Sequence, residues 1–312
     1  MKIFNSPIIT KKYKGSAIAI GNFDGVHKGH QKVFMQAKKF AKKNKIKFGI
    51  LTFTPLPVMF FNKKVSNYRL TSEDQKFKIL KKNEVDFLVN IKFDKAFSKI
   101  KALKFIKNII YKKINPKLIF VGNNFKFGNK RKGNVYLLKK FSKKYNYRLV
   151  NILAFSHRGK VVSSTQIRKS LQKGNLDLAN TLLSRTWSIE GLVQKGKKLG
   201  KKLGYPTCNI NIKDYVLPKI GIYTVKVLIN GNNKIFNGIA YLGYRPTFEG
   251  KKIMLEVNIF GTKKNLYKRK LRVYFLKFIR GEQKFRNSTS LMKQMNKDVI
   301  FAKKSLKTKL VL

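Results

Sequence analysis

Apolar positions in the first half of the chain alternate between two textures. Short, mostly apolar runs at residues 16–20 (SAIAI), 46–53 (IKFGILTF), 86–91 and 117–122 (KLIFVG) predict strands. Between them the spacing turns helical. Val33, Phe34, Ala37, Phe40 and Ala41 form one stripe on a predicted helix over 30–43. Further helices are predicted over 72–81, with Ser72 as N-cap, over 102–111 and over 134–145. Strand–helix repeats imply right-handed crossovers and a parallel sheet between helices. Such a sheet takes ligands at the carboxyl ends of its strands.

The texture changes near Ser164. Two short helices are predicted at 165–172 and 176–183, then β-rich runs at 187–193, 221–229, 238–242, 254–260 and 271–278, broken by Gly, Asn and Pro. This pattern predicts an antiparallel sheet or small barrel, followed by a helix over 288–304. A boundary near 183–185 gives two domains, 1–184 and 185–312, as 312 residues lead one to expect.

Hydrophobic residues make up 43% of the chain, enough for two cores and against global disorder. Charge is lopsided: 71 Lys and Arg against 13 Asp and Glu, a net +58. Such a surface attracts polyanions, and weak nonspecific binding to them is expected. The lysines are spread along the chain, Lys11 with Lys12, Lys42 with Lys43, Lys112 with Lys113, and no basic arm stands apart. The excess reads as diffuse. A coding bias toward Lys, Asn, Ile and Phe is a hypothesis for it, tested by the base composition of the gene. There is no aromatic RNA-binding stripe, zinc pattern or basic zipper, so specific nucleic-acid binding is the minor reading. One cysteine, Cys208, excludes an intrachain disulfide framework and fits a reducing compartment. No secretory leader and no run near the roughly 18 apolar residues of a membrane span is visible. A soluble cytoplasmic protein without a membrane partner is expected, of unassigned oligomeric state.

Acids and histidines are scarce enough that their positions carry information. Two of the three histidines, His27 and His30, fall in 21–30 (GNFDGVHKGH), directly after a strand and at the start of a helix. Spacing i, i+3 puts both on one face of the first turn. Free N–H groups and the positive dipole end of the helix favour an anion there. Gly21, Gly25 and Gly29 allow close backbone approach, and Asn22, Phe23 and Asp24 complete the loop. Two imidazoles beside such donors suit charge building on a phosphate.

A second cluster spans 196–209 (GKKLGKKLGYPTCN). Gly196, Gly200 and Gly204 with four lysines between them read as a phosphate cradle. Its glycine spacing is not that of a Walker A loop, and protein-kinase motifs are absent. Thr207 and Asn209 point to one side of an extended segment and offer hard oxygens suited to Mg²⁺, while Cys208 points away. Glu256 lies in a predicted strand between Leu255 and Val257, which face the other side.

These strings resemble a known family. GxFDxxHxGH is similar to the signature of nucleotidylyltransferases, and the longer string to the bifunctional riboflavin kinase/FAD synthetases. The resemblance extends to 163–168 (SSTQIR), 122–128 (GNNFKFG), GxxxGxxLGxPTxN at 196–209, GYRPTF at 243–248, LEV at 255–257 and RGEQKF at 280–285, in the family's order over most of the chain. It implies a Rossmann-like nucleotidylyltransferase domain followed by a small antiparallel β-barrel with a terminal helix. It implies ATP as co-substrate, Mg²⁺ in both steps, and riboflavin, FMN and FAD as ligands. By the same resemblance Ser164, Thr165 and Arg168 contact ATP phosphates. Asn123, Asn124 and Phe125 lie on the flavin side of the first domain. Glu256 is the base that deprotonates the riboflavin hydroxyl, and Arg280 and Glu282 approach nucleotide or flavin. The chain departs from the family at Thr54 and Leu56 (FTPLP for FEPHP), at Asn124 for an aspartate, and at Asn258 and Gly261 (LEVHxFDF). A chain with one worn site, the adenylyltransferase, is therefore the alternative expectation.

Overall fold

The computed structural model describes the chain except residues 63, 64, 66, 197–203, 213, 233, 248–249, 263–264, 307–310 and 312; for 245–247 and 250–252 it describes backbone alone. The described chain divides into two compact units, Met1–Ser66 with Glu73–Ser163, and Asn67–Ser72 with Ser164–Leu312.

The first unit is built on a six-stranded, wholly parallel sheet of β1 (Lys2–Phe4), β2 (Ala17–Ile20), β3 (Phe48–Thr54), β4 (Phe87–Lys92), β5 (Leu118–Gly122) and β8 (Arg148–Ile152). Two-residue strands β6 (Lys126–Phe127) and β7 (Gly133–Asn134) form a small pair, as do β9 (Ser156–His157) and β10 (Lys160–Val161). The helices are α1 (Lys28–Lys43), α2 (Pro57–Phe61), α3 (Glu73–Lys82), α4 (Lys95–Ser98), α5 (Ala102–Lys104), which runs into a π-helix over Phe105–Ile114, and α6 (Val135–Ser142). The apolar runs are two-faced, as parallel strands require. Ile18 and Ile20 of β2 join Leu51, Phe87 and the π-helix on one side. Ala17 and Ala19 face the other way, where their small size admits Val33, Phe34, Ala37 and Ala41 of α1. Strand order is β1-β4-β3-β2-β5-β8. The chain moves outward from β2 through β3 to β4, then returns to the other side of β2 as β5. This reversal makes the β2/β5 carboxyl ends the switch point at which open α/β sheets bind ligands.

The second unit holds α7 (Ser164–Gln172), α8 (Leu176–Leu183) and a closed antiparallel barrel in the order β11 (Ser188–Gln194), β12 (Cys208–Asn211), β15 (Gly250–Ile259), β14 (Ile235–Thr247), β13 (Gly221–Ile229), β16 (Lys270–Arg280). Alternation fills the barrel: Ile189, Ile210, Val225, Leu242, Leu255, Val257, Val273 and Phe275 are all buried. Helix α9 (Ser288–Ser305) starts at a capping box between Asn287 and Ser290 and packs against β13, β14 and β16. Both the parallel sheet and the terminal-helix barrel match the expected fold class. Expectation and structure differ at the margins. Strand 238–242 lengthens to 235–247, and the helix over 102–111 continues as a π-helix to Ile114, ended by left-handed Asn115 (φ 49°). Edge strands β1 and β8 have only partly apolar patterns and escape the periodicity.

Candidate functional sites

The loop between β2 and α1 sits at the switch point. Its backbone is strained: Phe23 (φ 48°) and Val26 (φ 40°) are left-handed without being glycine, and for a β-branched residue this is a genuine outlier. Such strain costs on the order of 1–3 kcal/mol per residue and concentrates at functional sites. Here it is held by Gln31 Nε2 donating to Val26 O (2.9 Å) and by Thr52 Oγ1 donating to Asn22 O (3.1 Å). His27 occupies the N-cap position of α1, and the imidazoles of His27 and His30 stack with centroids 3.6 Å apart. Phe23 packs edge-on against His30 at 5.2 Å. Gly29 leaves room for this stack: a Cβ there would lie 3.1 Å from Cε1 and 3.2 Å from Nδ1 of His27, and the ring would have to give by a few tenths of an ångström. Asp24 and His27 are both 5% exposed, so the loop and helix start are packed against the protein rather than forming a solvated turn.

After β5, Asn123 and Asn124 are exposed, and the Phe125 and Phe127 rings stack at 5.5 Å. Thus the structure brings the 21–30 and 122–128 loops to the carboxyl ends of neighbouring strands. Ser164, Thr165 and Arg168 lie on α7 in the second unit. Arg168 is 8% exposed; its Nε donates to Tyr68 O (2.8 Å) and its guanidinium stacks 3.7 Å over the Tyr68 ring, which fixes its plane.

In the barrel, strand register aligns a polar row. Asn209 of β12 sits opposite Glu256 of β15, which sits opposite Tyr241 of β14. Leu255 and Val257 point to the interior, so the row faces outward. Thr207 Oγ1 donates to Glu256 Oε2 at 3.4 Å. Asn209 is 5% exposed, and its Oδ1 has no hydrogen-bond partner among the described residues. Gly196 lies against it: a Cβ there would meet Asn209 Nδ2 at 2.2 Å. Gly204 is left-handed (φ 80°), and Gly200 lies outside the described residues. Cys208 does not join the polar row, and burial pushes its thiol up to about 11.

Glu256 lines a cavity of about 700 Å³ beside α9, together with Tyr205, Thr207, Tyr241, Phe285, Leu291 and Met295. Two contacts set its walls. Arg280 forks onto Asp298 of α9 (Nε to Oδ1 3.0 Å, Nη2 to Oδ2 2.7 Å), and Gln294 Nε2 donates to the same carboxylate at 2.9 Å. The Tyr241 hydroxyl donates to Glu282. Both Arg280 and Glu282 therefore line the cavity while already engaged by protein groups.

Residues 9–166 match the family model for FAD synthetase, and 183–306 match that for riboflavin kinase. A bifunctional riboflavin kinase/FMN adenylyltransferase of Buchnera aphidicola subsp. Schizaphis graminum is 42% identical, covering 95% of this chain and 96% of its own. The corresponding protein of Escherichia coli K12 is 34% identical, covering 93% and 92%. The chain belongs to the bifunctional riboflavin kinase/FMN adenylyltransferase family. A crystal structure of a macrolide-efflux protein from Streptococcus pneumoniae is also similar, with a TM-score of 0.84 and 28% identity over 96% of this chain. Among the described residues no helix is long and apolar enough to cross a membrane.

At the departures from the family pattern, other bonds are found. The Thr54 hydroxyl donates to Asn90 Oδ1 (3.0 Å), and Leu56 is buried at 5% exposure. Asn258 Nδ2 donates to Pro206 O (2.7 Å). Several residues at the sites are not singled out by the sequence. Lys76 is 5% exposed, with Nζ 3.4 Å from Thr52 Oγ1, the hydroxyl that holds Asn22. In a chain with 71 basic residues nothing marks it. Asp298 is different, since one of only 13 acids inside an apolar helical stripe is a visible signal.

Proposed function

We propose that the chain makes flavin cofactors in two ATP-dependent steps: riboflavin and ATP give FMN and ADP, then FMN and ATP give FAD and pyrophosphate. The first step is assigned to residues 185–312 and the second to 1–184. The observation that most supports the reading is a carboxylate, Glu256, in register with Asn209 at the wall of a cavity large enough for a flavin.

In the kinase step an alcohol must lose its proton as its oxygen attacks the γ-phosphorus. Glu256 accepts that proton, and the bond to the departing ADP oxygen breaks. Thr207 and Asn209 fit a hard cation. Asn209 presents a buried oxygen with no hydrogen-bond partner among the described residues, and both side chains offer neutral oxygens. Mg²⁺ held there would neutralise charge on the triphosphate. Gly196 and Gly204 let the backbone approach those phosphates, and Gly200 is assigned to the same cradle from its spacing in the sequence. The cavity beside α9 receives the isoalloxazine ring, with Arg280 and Glu282 fixing its walls.

In the adenylyl step the FMN phosphate is already ionised and needs no base. Its oxygen attacks the α-phosphorus of ATP and pyrophosphate leaves. His27 and His30 stabilise the charge that builds there. Gly21, Asn22, Phe23, Asp24 and Gly29 shape the loop, and Ser164, Thr165 and Arg168 are assigned phosphate contacts. Asn123, Asn124 and Phe125 are assigned to FMN. Cys208 as the single cysteine supports a cytoplasmic setting.

Purified protein incubated with riboflavin, ATP and Mg²⁺ should yield both FMN and FAD by mass spectrometry. Neither product forming would refute the reading. A kinase-only chain is the second reading, favoured by the neutral Thr54 and buried Leu56. FMN and ATP supplied without riboflavin decide it, since a kinase-only chain forms no FAD.

A further inference from the structure

Asn258 lines the same cavity as Glu256, two residues further along β15 and on the same face. The ladder between β12 and β15 ends at the pair Cys208 with Val257. Continued by one residue, it would set Thr207 opposite Asn258, but no backbone rung forms there. The Asn258 backbone keeps its pairing with Ile239 of β14, as its β15 neighbours do, and on the open β12 side its side-chain Nδ2 reaches across to Pro206 O at 2.7 Å. That carbonyl belongs to the peptide plane carrying the Thr207 nitrogen. Fixing it fixes how Thr207 leaves the strand end. The contact from Thr207 to Glu256 is long, 3.4 Å, and too weak to do this alone.

We propose that Asn258 is a positioning residue for the kinase step: its side-chain amide replaces the missing ladder rung and holds Thr207 and Asn209 in register with Glu256 for the cation–nucleotide complex. The proposal rests on the kinase reading above. Groups that orient metal ligands from behind are worth roughly 10–100-fold in metal affinity or activity.

N258L removes the donor at nearly constant volume. In the full chain, the Mg²⁺ concentration for half-maximal FMN formation should rise about tenfold. The thermal midpoint and FAD formation from supplied FMN should stay at wild-type values. N258H, which keeps an N–H donor, should recover most of the shift. Independently of turnover, Mn²⁺ binding in the presence of ADP, read by electron paramagnetic resonance, should weaken in N258L. N209A identifies the part of that signal that belongs to this site. If wild type forms no FMN, the kinase reading and this proposal both fall. If wild type forms FMN while N258L leaves the Mg²⁺ curve and the Mn²⁺ signal unmoved, only this proposal is overturned.

Discussion

Replacing Gly196 with alanine sets a methyl group against Asn209. The new Cβ would lie 2.2 Å from Nδ2 and 2.8 Å from Cγ, where an unstrained contact needs about 3.5 Å. Asn209 must therefore yield by roughly 1.3 Å, or the glycine backbone must move by a similar amount. At 5% exposure Asn209 has little room to swing aside. Overpacking of this kind costs about 1–3 kcal/mol of stability. Its effect on rate should be larger than its effect on folding, since a misplacement of about 1 Å costs about 100-fold in a positioned reaction. The kcat/KM for FMN formation should therefore fall about 100-fold, or about 2.7 kcal/mol in activation free energy. FAD formation from supplied FMN, followed by chromatography on the same sample, should stay within about twofold of wild type, because Gly196 and Asn209 are assigned to the kinase step alone. Wild-type FMN formation by G196A would refute the packing argument. Loss of both steps with an unchanged melting curve would refute the division of labour.

Three other outcomes are expected. H27A combined with H30A should reduce FAD formation from FMN by at least about 100-fold while FMN formation persists, measured by separate assays of the two products. D298A leaves Arg280 without its forked partner inside a largely buried pair; about 3 kcal/mol of stability should be lost in denaturant titrations, with the cavity beside α9 loosened and the KM for riboflavin raised. Cys208, with its thiol pushed up to about 11 by burial, is the less ionised form over the whole neutral range. Alkylation by iodoacetamide at pH 8 should run about 100-fold slower than for an ordinary thiol and speed up after unfolding.

The layout of both units is legible because burial imposes periods. The two-faced runs at β2 and β5 are apolar at every position, which only a sheet covered on both sides requires. The His27–His30 stack follows from spacing, and the glycine between them from the space a ring needs. The row of Asn209, Glu256 and Tyr241 is different. Its members are separated by 47 residues on one side and 15 on the other, and only strand register brings them abreast. Alternation shows which way Glu256 points but not what stands beside it. Lys76 is hidden by the charge excess, and the Asn258 contact by the early end of a ladder that no local pattern announces.

The most direct measurement is on E256Q, which keeps shape and removes the proton acceptor. With riboflavin, ATP and Mg²⁺, FMN formation should drop by about 10²–10⁴ while the same protein still converts supplied FMN to FAD at the wild-type rate. FMN formation by E256Q at the wild-type rate would contradict a carboxylate that takes the proton from the flavin alcohol.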